Sequence, residues 1–188
     1  EKRGNYSNSK LRAETIVKNE MDNGKLSIII LRPGLVYGPG RDVITPDVGR
    51  RISRRLIVVF GFGGRRLPLT HIENLVDALI LAGNSENITK GLYNVVDGNS
   101  PTQNDIIKFY KKNLNKSLFV IPVPKSLLFL GFWTLDKLLW IILKKNTAFL
   151  YKFLSSSKSV THSTKKIKSD LGWESRIPWQ DGIKQLLN

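Results

Sequence analysis

The chain has 188 residues, 41% hydrophobic and 24% charged, which fits one or one and a half globular domains and excludes a disordered polar tract. Thirty Lys and Arg against 15 Asp and Glu leave a net charge of +15, a balance that suits phosphate-bearing partners or an anionic surface without choosing between them. Cysteine is absent and His71 and His162 are the two histidines, which excludes disulfides, thiolate nucleophiles and Cys-based metal sites, and no metal site is expected.

The opening residues Glu1–Tyr6 are polar and carry no secretory signal. Residues 7–23 predict a helix with Ala13, Ile16, Val17 and Met21 on one face, ended by Asn23-Gly24. Lys25–Arg32, nearly continuous in Ile and Leu, predicts a strand buried on both faces of a parallel sheet, broken by Pro33-Gly34. A loop follows at Gly38-Pro39-Gly40-Arg41, then a short basic helix over 46–55 and a strand over Leu56–Phe60. Gly61–Gly64 is a turn and Leu67–His71 is extended. Glu73–Gly83 is an amphipathic helix, Gly91–Val96 a strand, Thr102 or Asn104 the cap of a helix running to about Lys112, and Leu118–Val123 extended.

Residues 125–145 are apolar almost all round, with Phe129, Phe132, Trp133 and Trp140 among seven Leu and two Ile. The longest uncharged stretch, Ser126–Leu135, is shorter than the roughly 20 residues a bilayer span requires. A buried core helix is the plain reading, and contact with a membrane surface is the competing one. Residues 155–166 are Ser/Thr/Lys-rich and predict a loop, and two short helices near 164–171 and 179–187 close the chain.

Strand–helix alternation predicts an α/β fold with a parallel sheet. The pattern opens on a helix, and a dinucleotide-binding half would need about three strands before it. The expectation is the C-terminal part of a larger enzyme.

Two constellations carry chemistry. Tyr6 and Lys10 are four apart and share a helix face, where an ammonium beside a phenol favours the phenolate that a general base requires. Leu31-Arg32-Pro33-Gly34-Leu35-Val36-Tyr37-Gly38-Pro39-Gly40 ends a buried strand in a break, and ligands of open α/β sheets bind beyond strand carboxyl ends, so Pro33–Tyr37 would line a cleft. Read singly, the first is a solvated helix start and the second a plain strand exit.

Together, these residues resemble the extended short-chain dehydrogenase/reductase family, also called the NAD(P)-dependent epimerase/dehydratase family. Tyr6 and Lys10 match its catalytic Tyr-x-x-x-Lys pair, and LRPGLVYGPG at 31–40 its following strand and loop. THIENLVDA at 70–78, GLYNVVDG at 91–98 and DLGW at 170–173 match further motifs in order, so the likeness covers nearly the whole chain and is weakest over 118–165.

The resemblance implies the end of a Rossmann-type domain at 1–45 and a mostly substrate-side, mixed α/β subdomain at 46–188, with helix 73–84 and strand 91–96 returning to the sheet. It implies NAD or NADP, held mainly by an upstream half that carries the glycine-rich turn and a catalytic Ser/Thr. Ser7 and Ser9 are too close to Tyr6 to replace that residue, and Gly61–Gly64 leads into an extended segment rather than the helix N-terminus that a pyrophosphate requires. On this reading Tyr6 is the general base and Lys10 tunes it and holds ribose. Arg32, Pro33, Gly34 and Val36 lie on the cofactor side, and Leu35, Tyr37, Arg41, Arg65 and Arg66 on the substrate side. The chain alone is expected to be inactive.

Nucleotide-sugar members usually carry Asn where Leu35 stands. HIENLVDALILA at 71–82 looks closer to the 3β-hydroxysteroid dehydrogenase-like branch. The resemblance therefore leans to oxidation of a secondary hydroxyl on a hydrophobic or sterol-like small molecule, with a nucleotide-sugar epimerase or dehydratase as the alternative. A homodimer, a cytoplasmic location and membrane-surface contact through 125–145 belong to the same expectation. A basic module for nucleic acid or anionic membrane is the reading from another class; no zinc knuckle or aromatic RNA-binding strand supports nucleic acid. His71 reads as a hydrogen-bonded structural residue, and the paired arginines at 50–51, 54–55 and 65–66 as a solvated face.

Overall fold

The computed structural model describes residues 5–24, 26–113, 117–143 and 159–187. The elements in chain order are α1 (Asn5–Asp22), β1 (Ile28–Pro33), β2 (Leu35–Tyr37), β3 (Arg50–Ser53), β4 (Leu56–Phe60), β5 (Leu69–His71), α2 (Ile72–Gly83) and β6 (Lys90–Val95). They continue with α3 (Gln103–Asn113), β7 (Phe119–Val123), α4 (Lys125–Leu143), α5 (Lys165–Leu171) and α6 (Trp179–Gln185). The chain divides into two compact units, each discontinuous in sequence.

The first unit comprises Glu1–Gly38, Pro68–Asn99 and His162–Gly182. β1 pairs in parallel with β6, Ile28 opposite Lys90 through Pro33 opposite Val95, and β2 pairs in parallel with β5, Leu35 opposite Leu69 and Tyr37 opposite His71. The Ile-rich run thus forms the expected parallel strand. It is half-buried rather than buried on both faces, because β6 is its one paired neighbour among the described strands. Ala78, Tyr93, Val95, Ile167 and Trp173 form the core, with Ile29, Leu31, Leu75 and Leu171 packed against it. The DLGW motif has a physical reason here. Gly172 adopts φ 64° and closes α5 with its N–H on the Lys168 carbonyl, and this turn buries Trp173, whose indole donates to the Asn74 carbonyl at 3.0 Å.

α1 departs from its predicted packing. Ala13, Ile16 and Val17 are exposed, whereas Glu14, Lys18 and Met21 are half-buried. A polar anchor, Glu14 on Arg32, seats the helix instead of the apolar stripe.

The second unit comprises Pro39–Leu67, Ser100–Thr161 and Ile183–Asn188. Its sheet runs β3-β4-β7, antiparallel between β3 and β4 and parallel between β4 and β7. Residues 46–55 are not the predicted helix. Pro46–Val48 form a turn, with Val48 and Gly49 donating to the Thr45 carbonyl, and Arg50–Ser53 pair with β4. Tertiary pairing to the buried Ile57 and Val59 strand overrides the local preference. α4 is helical as predicted, up to the last described residue of its span, but is not a core helix: Trp133, Trp140 and Ile141 are largely exposed. Of the predicted loop at 155–166, residues 155–158 lie outside the described residues; 159–164 are irregular and α5 begins at Lys165.

Candidate active site

Tyr6, Lys10, Glu14 and Lys18 follow one another at i, i+4 along α1 and so share one stripe. The Lys10 ammonium lies 5.8 Å from the centre of the Tyr6 ring. Ser9 is occupied locally, its hydroxyl donating to the Tyr6 carbonyl at 2.8 Å. Glu14 accepts from Arg32 Nε at 2.9 Å and from Arg32 Nη2, and pairs with Lys18 at 2.8 Å. The Arg32 hydrogen bonds, then Lys18, hold its carboxyl down at about 2.

This anchor fixes the direction of the stripe. From Glu14 to the end of α1 the helix rises ~12 Å, and from Ile28 to Arg32 the strand rises ~13 Å, so the two elements run antiparallel over matched lengths. Tyr6 lies two turns, ~12 Å along α1, on the far side of Glu14 from the connection to β1. Tyr6 itself is 75% exposed.

At that strand end the backbone is tightly bound. Gly34 donates to the Thr70 hydroxyl at 2.9 Å and to the Val95 carbonyl at 3.1 Å, and a Cβ at Gly34 would overlap the Pro68 carbonyl, so only glycine fits. Leu35 donates to the Pro68 carbonyl at 2.6 Å. Leu35 and Val36 are half-buried, and Pro33 is exposed. Tyr37 is buried, its ring meeting the His71 ring edge-on at 5.2 Å between centres. Burial, then the nearby Asp97 carboxylate, pushes its phenol far above the usual range, so it stays neutral.

Sequence reasoning missed a buried polar cluster beneath this edge. Asn74 donates to Asp97 Oδ1 at 2.7 Å and to the Ile177 carbonyl at 2.9 Å, and accepts from the Arg176 and Ile177 amides at 3.1 and 3.0 Å. Asp97 Oδ2 accepts from the His71 amide at 2.9 Å. Burial raises the Asp97 carboxyl, opposed by the Asn74 and His71 hydrogen bonds. His71 caps α2, its Nδ1 accepting from Glu73 N–H at 3.3 Å, which is the structural role its sequence context suggested. The available signal was an asparagine four residues before Ala78, on the face of the helix that the apolar pattern buries.

The remaining candidate residues belong to the second unit. Arg41 is exposed. Arg65 donates to the Asp47 carbonyl at 2.7 Å and carboxylate at 3.3 Å, and Arg66 to the Ser100 carbonyl at 3.0 Å. Arg65 lines a cleft of about 590 Å³ with Phe60, the Gly61–Gly64 turn and Gln103. Asn104 closes this turn, its amide donating to the Gly63 carbonyl at 3.0 Å and its side chain to the Phe62 carbonyl at 2.7 Å. The turn leads to β5, not to a helix.

Residues 1–95 match the sequence pattern of the NAD dependent epimerase/dehydratase family. The chain belongs to this family. UDP-glucose 4-epimerase of Vibrio cholerae is 24% identical over 181 residues, 96% of this chain and 52% of that protein. Sterol-4-alpha-carboxylate 3-dehydrogenase, decarboxylating, of Candida albicans is 27% identical over 97% of this chain and 55% of its own length. The epimerase/dehydratase fold also appears in solved structures. UDP-glucuronic acid 4-epimerase from Bacillus cereus in complex with NAD superposes with a TM-score of 0.68 at 18% identity, covering 96% of this chain and 50% of that one. UDP-glucose 4-epimerase from Thermus thermophilus in complex with NAD gives 0.66 at 19% identity, covering 97% and 52%. This family member therefore spans about half the length of the curated relatives it matches. Its fold is the α/β, parallel-sheet portion of the epimerase architecture.

Proposed function

We propose that the protein carrying this chain is an NAD(P)-dependent oxidoreductase or epimerase acting on a secondary hydroxyl, with Tyr6 as general base. The supporting observation is the Tyr6–Lys10 pair, with the Lys10 ammonium 5.8 Å from the Tyr6 ring centre, on a helix tied through Glu14 to Arg32 of β1. The carboxyl end of β1, exposed at Pro33, is where a nicotinamide and its ribose would be received. When bound, nicotinamide supplies the hydride acceptor. Tyr6 would take the hydroxyl proton, Lys10 would hold a ribose hydroxyl, and Pro33, Gly34 and Val36 would line the nicotinamide side. Arg32 belongs to this group through Glu14, as a positioning residue for α1.

The substrate reading leans to a hydrophobic or sterol-like alcohol. Leu35 offers no side-chain hydrogen bond to a nucleotide, and the similarity to a sterol-carboxylate dehydrogenase supports the same choice. The nucleotide-sugar alternative is supported by the epimerase relative and the structural neighbours. Parallel assays with a UDP-hexose and with a 3-hydroxysteroid separate the two. A homodimer through the exposed Ile16 and Val17 of α1 is part of this reading, and equilibrium sedimentation measures it.

Tyr6→Phe in the intact protein removes the general base while leaving the helix in place. Turnover should fall roughly 10²–10⁴-fold with cofactor affinity nearly unchanged. Equal turnover in the variant would refute the role of Tyr6.

A further inference from the structure

One buried hydroxyl sits where β1 gives way to β2, and neither the catalytic reading nor the apolar core accounts for it. Thr70, the middle residue of β5, is fully buried. Its hydroxyl donates to the Val95 carbonyl at 2.6 Å and accepts from the Gly34 amide at 2.9 Å. One side chain therefore joins the end of β1, the middle of β5 and the end of β6, all within the first unit. A buried strand position normally favours an apolar β-branched residue, and valine has nearly the shape of threonine. A hydroxyl buried there costs free energy unless it is hydrogen-bonded, and here it is used both as donor and as acceptor.

The strand registers show what this hydroxyl holds. Thr70 stands opposite Val36 in the β2–β5 pair. Val95, whose carbonyl takes the hydroxyl proton, stands opposite Pro33 in the β1–β6 pair. Gly34, bonded to the hydroxyl directly, lies between β1 and β2. Pro33, Gly34 and Val36 thus have their backbone placed around one side chain, whereas Leu35 has a separate bond, its amide on the Pro68 carbonyl. The Gly34 amide also reaches the Val95 carbonyl, at 3.1 Å. Loss of the Thr70 hydroxyl would therefore orphan no amide; Gly34 would keep its longer bond, and the segment would shift rather than unfold. Thr70 itself has no exposed surface and so touches neither cofactor nor substrate.

We propose that Thr70 is a positioning residue for the nicotinamide side of the cofactor site, acting through Gly34 and the two strand pairs and touching no ligand. The proposal rests on the reading above that Pro33, Gly34 and Val36 line that side. Thr70→Val removes the hydroxyl at nearly constant shape, Thr70→Ala removes it without steric demand, and Thr70→Ser keeps it. The test measures binding to the intact protein of NADH and NADPH, and of ADP-ribose and its 2′-phosphate, which lack the nicotinamide. T70V and T70A should weaken the dinucleotide that wild type binds about 10-fold and leave the nicotinamide-free ligand within about twofold, and T70S should restore wild-type affinity. In the ligand-free protein, hydrogen exchange at the Gly34 amide should quicken in T70V and return to the wild-type rate in T70S. A merely structural threonine would weaken both kinds of ligand alike or neither, and either result would overturn the proposal while leaving the reading of Tyr6 and Lys10 in place. T70S without rescue would do the same, as would failure of both T70V and T70A to fold, which would make the hydroxyl a folding element. A wild-type protein that binds neither dinucleotide would instead overturn the cofactor reading, and the proposal with it.

Discussion

Glu14 and Asp97 are two carboxylates that respond to acid in opposite directions. Arg32 depresses Glu14 from 4.5 to about 2, so its contribution to stability is present above 4.5 and is lost as pH falls toward 2. Burial raises Asp97 above its usual 3.8, so its contribution is largest below that value and is lost as pH rises through the folded-state value. Glu14→Gln should therefore flatten the acid limb of a urea midpoint-versus-pH curve, and Asp97→Asn should change the opposite slope. The Arg32 side chain is 44% exposed, so losing the pair should cost at most about 1 kcal/mol at neutral pH. Gly34→Ala is a different case, because the Pro68 carbonyl occupies the space the methyl needs. Urea unfolding should show a loss of about 2–4 kcal/mol. Gly182 is similarly confined, since a Cβ there would lie 2.5 Å from the Tyr37 hydroxyl and 2.9 Å from His71 Cδ2. At this scale the sequence was informative about His71, read as a hydrogen-bonded structural residue and found as the cap of α2. It did not pair Asn74 with Asp97, 23 residues apart, because nothing local marks a side chain on α2 and one just past β6 as partners.

Elements were legible to the extent that their own periodicity determines them. α2, β4 and β6 have patterns that local rules read correctly, and all three lie against buried residues. β3 was misread because Arg50–Ser53 carries little pattern of its own and extends only by pairing with β4. α1 and α4 were legible as helices but not in what they face. An apolar stripe states that a surface prefers to be covered, not by what. The contrast can be measured. Leu130→Ser on the open side of α4 should move the thermal midpoint by no more than about 0.5 kcal/mol equivalent. Ile57→Ala, at a fully buried position of β4, should cost about 2–5 kcal/mol.

For the whole molecule, the described glycine turn at Gly61–Gly64 leads to β5, and pyrophosphate recognition of the dinucleotide-binding kind requires a turn that opens a helix. The 188-residue chain by itself should consequently show no saturable NADH binding in a fluorescence titration and no dehydrogenase activity. Micromolar saturation would place the cofactor site within this chain.

The two units also interleave along the sequence, and this governs the order in which they can form during synthesis. Ala78, Tyr93 and Val95 are closed over by Ile167 and Trp173, so a ribosome that has emitted the chain only as far as residue 160 holds an uncapped core. The β1–β6 ladder must likewise wait for β6, some sixty residues later. A nascent chain arrested before Ile167 should thus remain protease-sensitive and chaperone-bound, and one arrested well past Trp173 should not. The short DLGW turn acts late, as the step that commits the first unit to its folded state.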